Sequence, residues 1–177
     1  LDNVEPRRYR TELVEQELAS QWHSEDTLAW AGRAAIVLGA EASERFADVP
    51  LQIPLAESLT RKQAALSAAR ERLAQAEKLV GEDARSEILF RRAELYRVMA
   101  QDLMTSEAPA NLSDLEATQY RMLLEEEAYP FEEKAIDLHA KNHQRLAEGR
   151  FDDWVERSLQ VLADLFPGRY DREVRWM

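Results

Sequence analysis

The stretch from Ser113 to Tyr170 carries dense helix punctuation, and that punctuation leaves antiparallel helices as nearly the only fold open to it. Ser113-Asp114-Leu115-Glu116 is a capping box: the Ser113 hydroxyl accepts the N3 amide proton while Glu116 reaches back to the cap. The helix that starts here runs through Tyr120, Leu123, Leu124 and Ala128, meets Pro130, resumes to His139 and ends at Gly149. Asp152-Asp153-Trp154-Val155 then opens another helix that stops at Pro167-Gly168. Two helices joined by so short a turn fold back on each other. Pro130 removes a backbone bond and clashes with the carbonyl of Glu126, which predicts either a kink or two separate helices meeting there.

Composition agrees with an all-α fold. Ala, Leu, Glu and Arg dominate, Gly and Pro number only five and six, and β-branched runs are nearly absent. At 177 residues the chain is long enough for a single domain or a stack of helix pairs that buries roughly 70% of its unfolded surface. The 34 acidic against 23 basic residues give a net charge of -11, which repels phosphate backbones and argues against a nucleic-acid partner. Cysteine is absent, which removes disulfides, thiol nucleophiles and thiolate metal sites while leaving the compartment open. The longest apolar run, 29–42, is interrupted by Arg33 and Glu41 and falls short of the ~20 residues of a membrane span. Because the first residue is Leu1, the expectation is a processed product or a cut fragment, so the lack of a signal peptide or anchor in it proves nothing about targeting.

Apolar spacing of three and four residues predicts about six helices in one domain over 1–177, paired roughly as 6–46, 56–106 and 113–166, with a tail at 168–177. The first carries Tyr9, Leu13, Val14, Glu17 and Leu18 on a narrow stripe; the second follows Ser24 as N-cap and buries Leu28, Ala31, Ala35, Leu38, Ala42 and Phe46. Two prolines in 49–55 exclude helix and mark an apolar connector packed against the body. A long Ala-rich helix follows, with Leu59, Ala65, Leu66, Ala69, Leu73, Ala76 and Leu79 along one side, and Gly81 is expected to close it as a left-handed cap. The fourth helix carries Ile88, Leu89, Ala93, Tyr96, Met99, Ala100 and Leu103. Serial helix pairs with short joints describe an α-solenoid of drifted repeats, with an up-down bundle as the competitor.

Two resemblances follow from these residues. Phe90, Ala93, Glu94, Tyr96 and Ala100 within 84–104 resemble the first helix of a tetratricopeptide repeat, and Gly149-Arg150-Phe151-Asp152-Asp153-Trp154 resembles its inter-helix turn, with Pro167 near the usual terminal Pro. Trp154, Asn142 and Arg92 depart from that pattern, standing where small or apolar residues are usual, and no strict 34-residue period survives. The segment 124–136, with Ser58-Leu59-Thr60-Arg61-Lys62 and Phe151-Asp152-Asp153-Trp154-Val155 in the same order, is similar to the C-terminal portion of bacterial envelope tetratricopeptide proteins that accompany TonB/Tol-type energy-transducing complexes and gliding-motility machinery. That likeness spans the last two thirds of the chain. It implies a periplasmic or outer-membrane-associated scaffold.

Candidate sites are few. His139 and His143 share a helix face, the spacing of a bis-histidine metal site, but Ala140 stands where a zinc protease needs Glu, and His23 is remote in sequence. If Gly149 marks the repeat turn, both histidines face the concave groove; the plainer reading is solvated helix surface. Phe90, Glu94 and Arg97 lie one turn apart, and the repeat analogy turns them into the same groove; the plainer reading is intrahelical pairing of Arg91, Glu94 and Arg97. Glu125, Glu126, Glu127, Glu132 and Glu133 form a solvated acidic face, since acid/base catalysis needs a desolvated cleft. Trp22, Trp30, Trp154, Phe90, Tyr96, Tyr120 and Phe151 are expected in the core, while Trp176 caps the last pair or touches a partner. No Ser/His/Asp order and no Gly-rich phosphate loop is present. The expectation is a non-catalytic scaffold for a protein or peptide partner, with no cofactor or metal. The alternative is a compact bundle holding a metal or small ligand through His139 and His143.

Overall fold

The computed structural model describes residues 4–166, and over them the chain is all-α. Its helices are α1 (Val4–Ala19), α2 (Glu25–Ala47), α3 (Leu55–Leu79), α4 (Glu82–Thr105), α5 (Asp114–Gln144) and α6 (Asp153–Leu165), with a 3-10 turn (Arg145–Glu148) after α5. Capping boxes start α2 at Ser24 and α5 at Ser113, and the Asp152 carboxylate accepts the Trp154 and Val155 amides at 2.9 Å to start α6. Gly149 closes the 3-10 turn with φ 73°, the left-handed geometry that glycine adopts without penalty. Gly81 does not do this. Its backbone is extended (φ -76°, ψ -178°), and it serves as the N-cap of α4, while Val80 terminates α3.

Pro130 lies inside an uninterrupted α5, not between two helices. Its neighbourhood is exposed, so the Glu126 carbonyl that loses its amide donor faces solvent, and buried Leu124 and Ala128 before it and Ala135 and Leu138 after it hold both halves to the body.

Each helix packs on the next, most extensively α4 on α5 and α2 on α3; α2 also meets α4, and α4 meets α6. Among the described residues no extensive packing joins α1 or α3 to α5 or α6. The main apolar cluster runs through α2, α3 and α4, with Ala31, Ala35, Phe46, Ala69, Leu73, Ile88 and Met99 all buried. Gly39 lets α2 approach α3 closely: a Cβ there would lie 2.7 Å from Leu73 Cδ2. The 49–54 connector is non-helical, with Leu51 packed on the core and Ile53 exposed.

Candidate partner-binding groove

Phe90, Glu94 and Arg97 follow at four- and three-residue spacing on α4, so they share a face, and α5 runs antiparallel along it. The N-terminal turn of α4 is held by Arg145, whose Nη2 donates to the Glu82 carbonyl at 2.8 Å and whose Nε donates to Ser86 Oγ at 3.0 Å. Asn142 Nδ2 donates to the Ser86 carbonyl (3.1 Å), the Trp154 carbonyl (3.2 Å) and Ser158 Oγ (2.9 Å). These buried polar residues pin α4, α5 and α6 to one register.

His139 sits at the centre of that junction, fully buried, with Nδ1 3.3 Å from Ser158 Oγ and the ring edge-on to Phe90 at 5.5 Å. Its Nε2 approaches Glu94 Oε1 to 3.3 Å, within ion-pair range but without hydrogen-bond geometry. Glu94 has a stronger partner in Arg97, whose Nε and Nη2 form a fork on its two oxygens at 2.7 Å each. Burial alone would raise the Glu94 carboxyl; the contacts from His139 and Arg97 outweigh it and hold the group at about 2. Phe90 also meets Trp154 at 5.4 Å, and the Arg91 and Arg157 guanidinium groups lie over the Trp154 ring at 5.0 and 4.6 Å.

The structure therefore gathers Phe90, Glu94, Arg97 and His139, and places half-buried His143 one turn further along α5. Neither expectation for His139 survives: with no exposed surface, it is neither solvated nor able to line a groove, and it acts by supporting Glu94 and Phe90. Phe90, Glu94 and Arg97 line depressions of the surface. Phe90, Glu94 and Val98 face Ala40, Ser43 and Phe46 of α2 across a depression of about 220 Å³. Arg97 opens onto a second groove of about 620 Å³ between α4, α5 and α6, lined by Met104, Ile136, Leu165 and Phe166.

The departures from the repeat pattern have local causes. Arg92 donates to Glu77 of α3 at 2.7 Å, Asn142 is the polar hub, and Trp154 packs on Phe90 with Arg91 and Arg157 over its ring. Sequence reasoning missed Lys62, Ser86, Arg145 and Ser158, all buried. The available signal was register: Lys62 precedes Leu66, Ala69, Leu73 and Ala76 at four- and three-residue spacing, on the buried stripe of α3.

The aromatic expectations divide. Trp154, Phe90, Tyr96 and Tyr120 are half-buried, and Tyr96 stacks on Phe131 at 6.5 Å. Trp22, Trp30 and Phe151 are exposed, not core; Trp30 carries Arg33 over its ring at 4.9 Å. Trp176 and the Pro167-Gly168 stop lie outside the described residues. The acidic run of α5 is exposed, as a solvated face requires.

The chain matches no family model, no curated protein and no solved structure. The tetratricopeptide likeness thus stands on the sequence residues alone. Among the described residues no three His, Cys, Asp or Glu side chains gather as a metal-holding group, and no helix is long and apolar enough to cross a membrane.

Proposed function

We propose that this chain is a non-catalytic interaction scaffold, a tetratricopeptide-like α-solenoid that holds a protein or peptide segment along α4. One observation carries the proposal: among the described residues, extensive helix packing reaches only the next helix or the one after. A closed up-down bundle would bring the first helices back against the last. Along the depression between α2 and α4, half-buried Phe90 and Val98 supply apolar anchors, and the Glu94–Arg97 fork supplies a fixed polar rim. A periplasmic or outer-membrane-associated setting rests on the resemblance of 124–136 to envelope scaffolds.

The metal-binding bundle has less in its favour, since His139 turns one ring nitrogen toward Ser158 and the other toward Glu94. To test the scaffold, wild type and two variants capture partners from envelope extract: Arg97→Ala removes the fork, and Ser43→Arg fills the depression from α2. The scaffold requires a specific protein that wild type retains and both variants lose, with unchanged circular dichroism. Equal capture by all three rejects this groove.

A further inference from the structure

A second surface lies on the far side of α5. Leu115, Met122 and Tyr129 recur every seven residues, which keeps them on one line of the helix with a drift of only ~20° per step. They are 68, 55 and 57% exposed, and Leu123, 59% exposed, flanks them. The buried residues Leu124, Ala128, Ala135 and Leu138 occupy the opposite face, against α4 and α6. Leu124 is also the first buried residue of α5; in the ten residues before it Ala117 and Tyr120 are half-buried, while Leu115, Met122 and Leu123 are exposed. From 115 to 129 the stripe spans about 21 Å, the length over which a partner helix makes three heptad contacts.

Charge decides what such a helix must look like. Between 114 and 134 there are seven acidic residues and two basic ones, a net of -5. Glu125, Glu126, Glu127 and Glu132 are exposed and have no ion-pair partner among the described residues, while Glu133 accepts only the Tyr129 hydroxyl, at 2.7 Å. A second copy of this chain would set like charge on like charge, and an anionic lipid surface would be repelled. We propose that the Leu115–Met122–Tyr129 face docks a basic amphipathic helix of a partner protein, whose apolar residues cover the stripe while its Lys and Arg side chains meet the flanking glutamates. Because this face points away from α4, it stands or falls independently of the groove above.

The probe is a fluorescent 21-residue Leu/Lys heptad peptide, with a Leu/Glu peptide of the same pattern as its counterpart, read by anisotropy against the full chain. The basic peptide should bind wild type, and binding should weaken at least about tenfold between low salt and 0.5 M NaCl as screening sets in. Leu115→Gln/Met122→Gln should weaken it at least about tenfold more, the scale of losing two buried apolar anchors. Trp22→Gln, which removes an exposed aromatic elsewhere, should leave it unchanged. Absence of binding, equal weakening by the two variants, or equal binding of the acidic peptide overturns the proposal. So does a concentration-dependent dimer in sedimentation that Met122→Gln abolishes, which would give the stripe to a second copy.

Discussion

Lys62→Met should lower stability by about 3 kcal/mol, although Met fills nearly the same space. The Lys62 side chain has no exposed surface, and its ammonium donates to the Val49 carbonyl at 2.7 Å and the Phe46 carbonyl at 3.2 Å, with the Ala47 carbonyl at 3.4 Å. It also pairs with Asp102 of α4 and lies 4.6 Å over the Phe46 ring. The Phe46 and Ala47 carbonyls end α2, at the negative end of its dipole, and Val49 follows in the connector; the Phe46 carbonyl also accepts the Val49 amide at 3.2 Å. One ammonium thus joins α2, α3 and α4.

The magnitude comes from two charge-assisted bonds at ~1.5–3 kcal/mol each, reduced by the greater apolarity of Met and by water reaching Asp102. Asp102 is 32% exposed, so it rehydrates when its partner is lost and adds little to the deficit. For a chain of this length a loss of about 3 kcal/mol lowers Tm by roughly 6–12 °C, readable by far-UV circular dichroism. The double variant Lys62→Met/Asp102→Asn separates the two roles: it should regain no more than about 1 kcal/mol, because the Ala47 and Val49 carbonyls still lack the ammonium donor. A single-variant loss under about 1 kcal/mol, or full recovery in the double variant, would refute the capping of α2 by Lys62.

Two further perturbations read other parts of the fold. Glu94 is held at about 2 in the folded chain against 4.5 unfolded, so its stabilisation is complete above pH 4.5 and is lost as pH falls through 2. Glu94→Gln should therefore cost up to about 3 kcal/mol at pH 7, with a gap to wild type that narrows steadily below pH 4.5 in urea titrations; a gap independent of pH would contradict the Arg97 and His139 contacts. Gly39→Ala gains about 1 kcal/mol of helix propensity but forces a methyl onto fully buried Leu73, an overpacking cost of ~1–3 kcal/mol. A net loss of about 1 kcal/mol is expected in denaturant melts, and a more stable variant would show that α2 and α3 are not in close contact there.

What was legible in the sequence was local. The Ser24 and Ser113 caps, the Gly149 turn and the proline-bounded connector each act within a few residues, and each appears where the chain predicts it. Apolar stripes likewise marked which side of α2, α3 and α4 is buried. Exposure of Trp22 and Trp30 was not legible, because an aromatic at helical spacing is covered only if a neighbouring helix lies over it. Gly81 failed as a cap for a related reason: its backbone was already committed to starting α4.

The buried polar hubs were hidden by distance along the chain. Lys62 meets carbonyls 13–16 residues away, while Asn142 and Arg145 meet Ser86 across 56 and 59 residues. Register along α3 marks the Lys62 position as buried but cannot say what lies opposite it. The positions of the hubs matter for what the apolar stripes leave undetermined. Ala and Leu at three- and four-residue spacing pack almost equally well after a slide of one turn, whereas a slide of about 5.4 Å would carry Lys62 Nζ beyond hydrogen-bond reach of Val49 and strand it in the core. The same displacement of α5 would part Asn142 from both Ser86 and Ser158. Apolar burial thus drives the helices together, and one polar hub at α2–α3–α4 and another at α4–α5–α6 set how far along each other they lie.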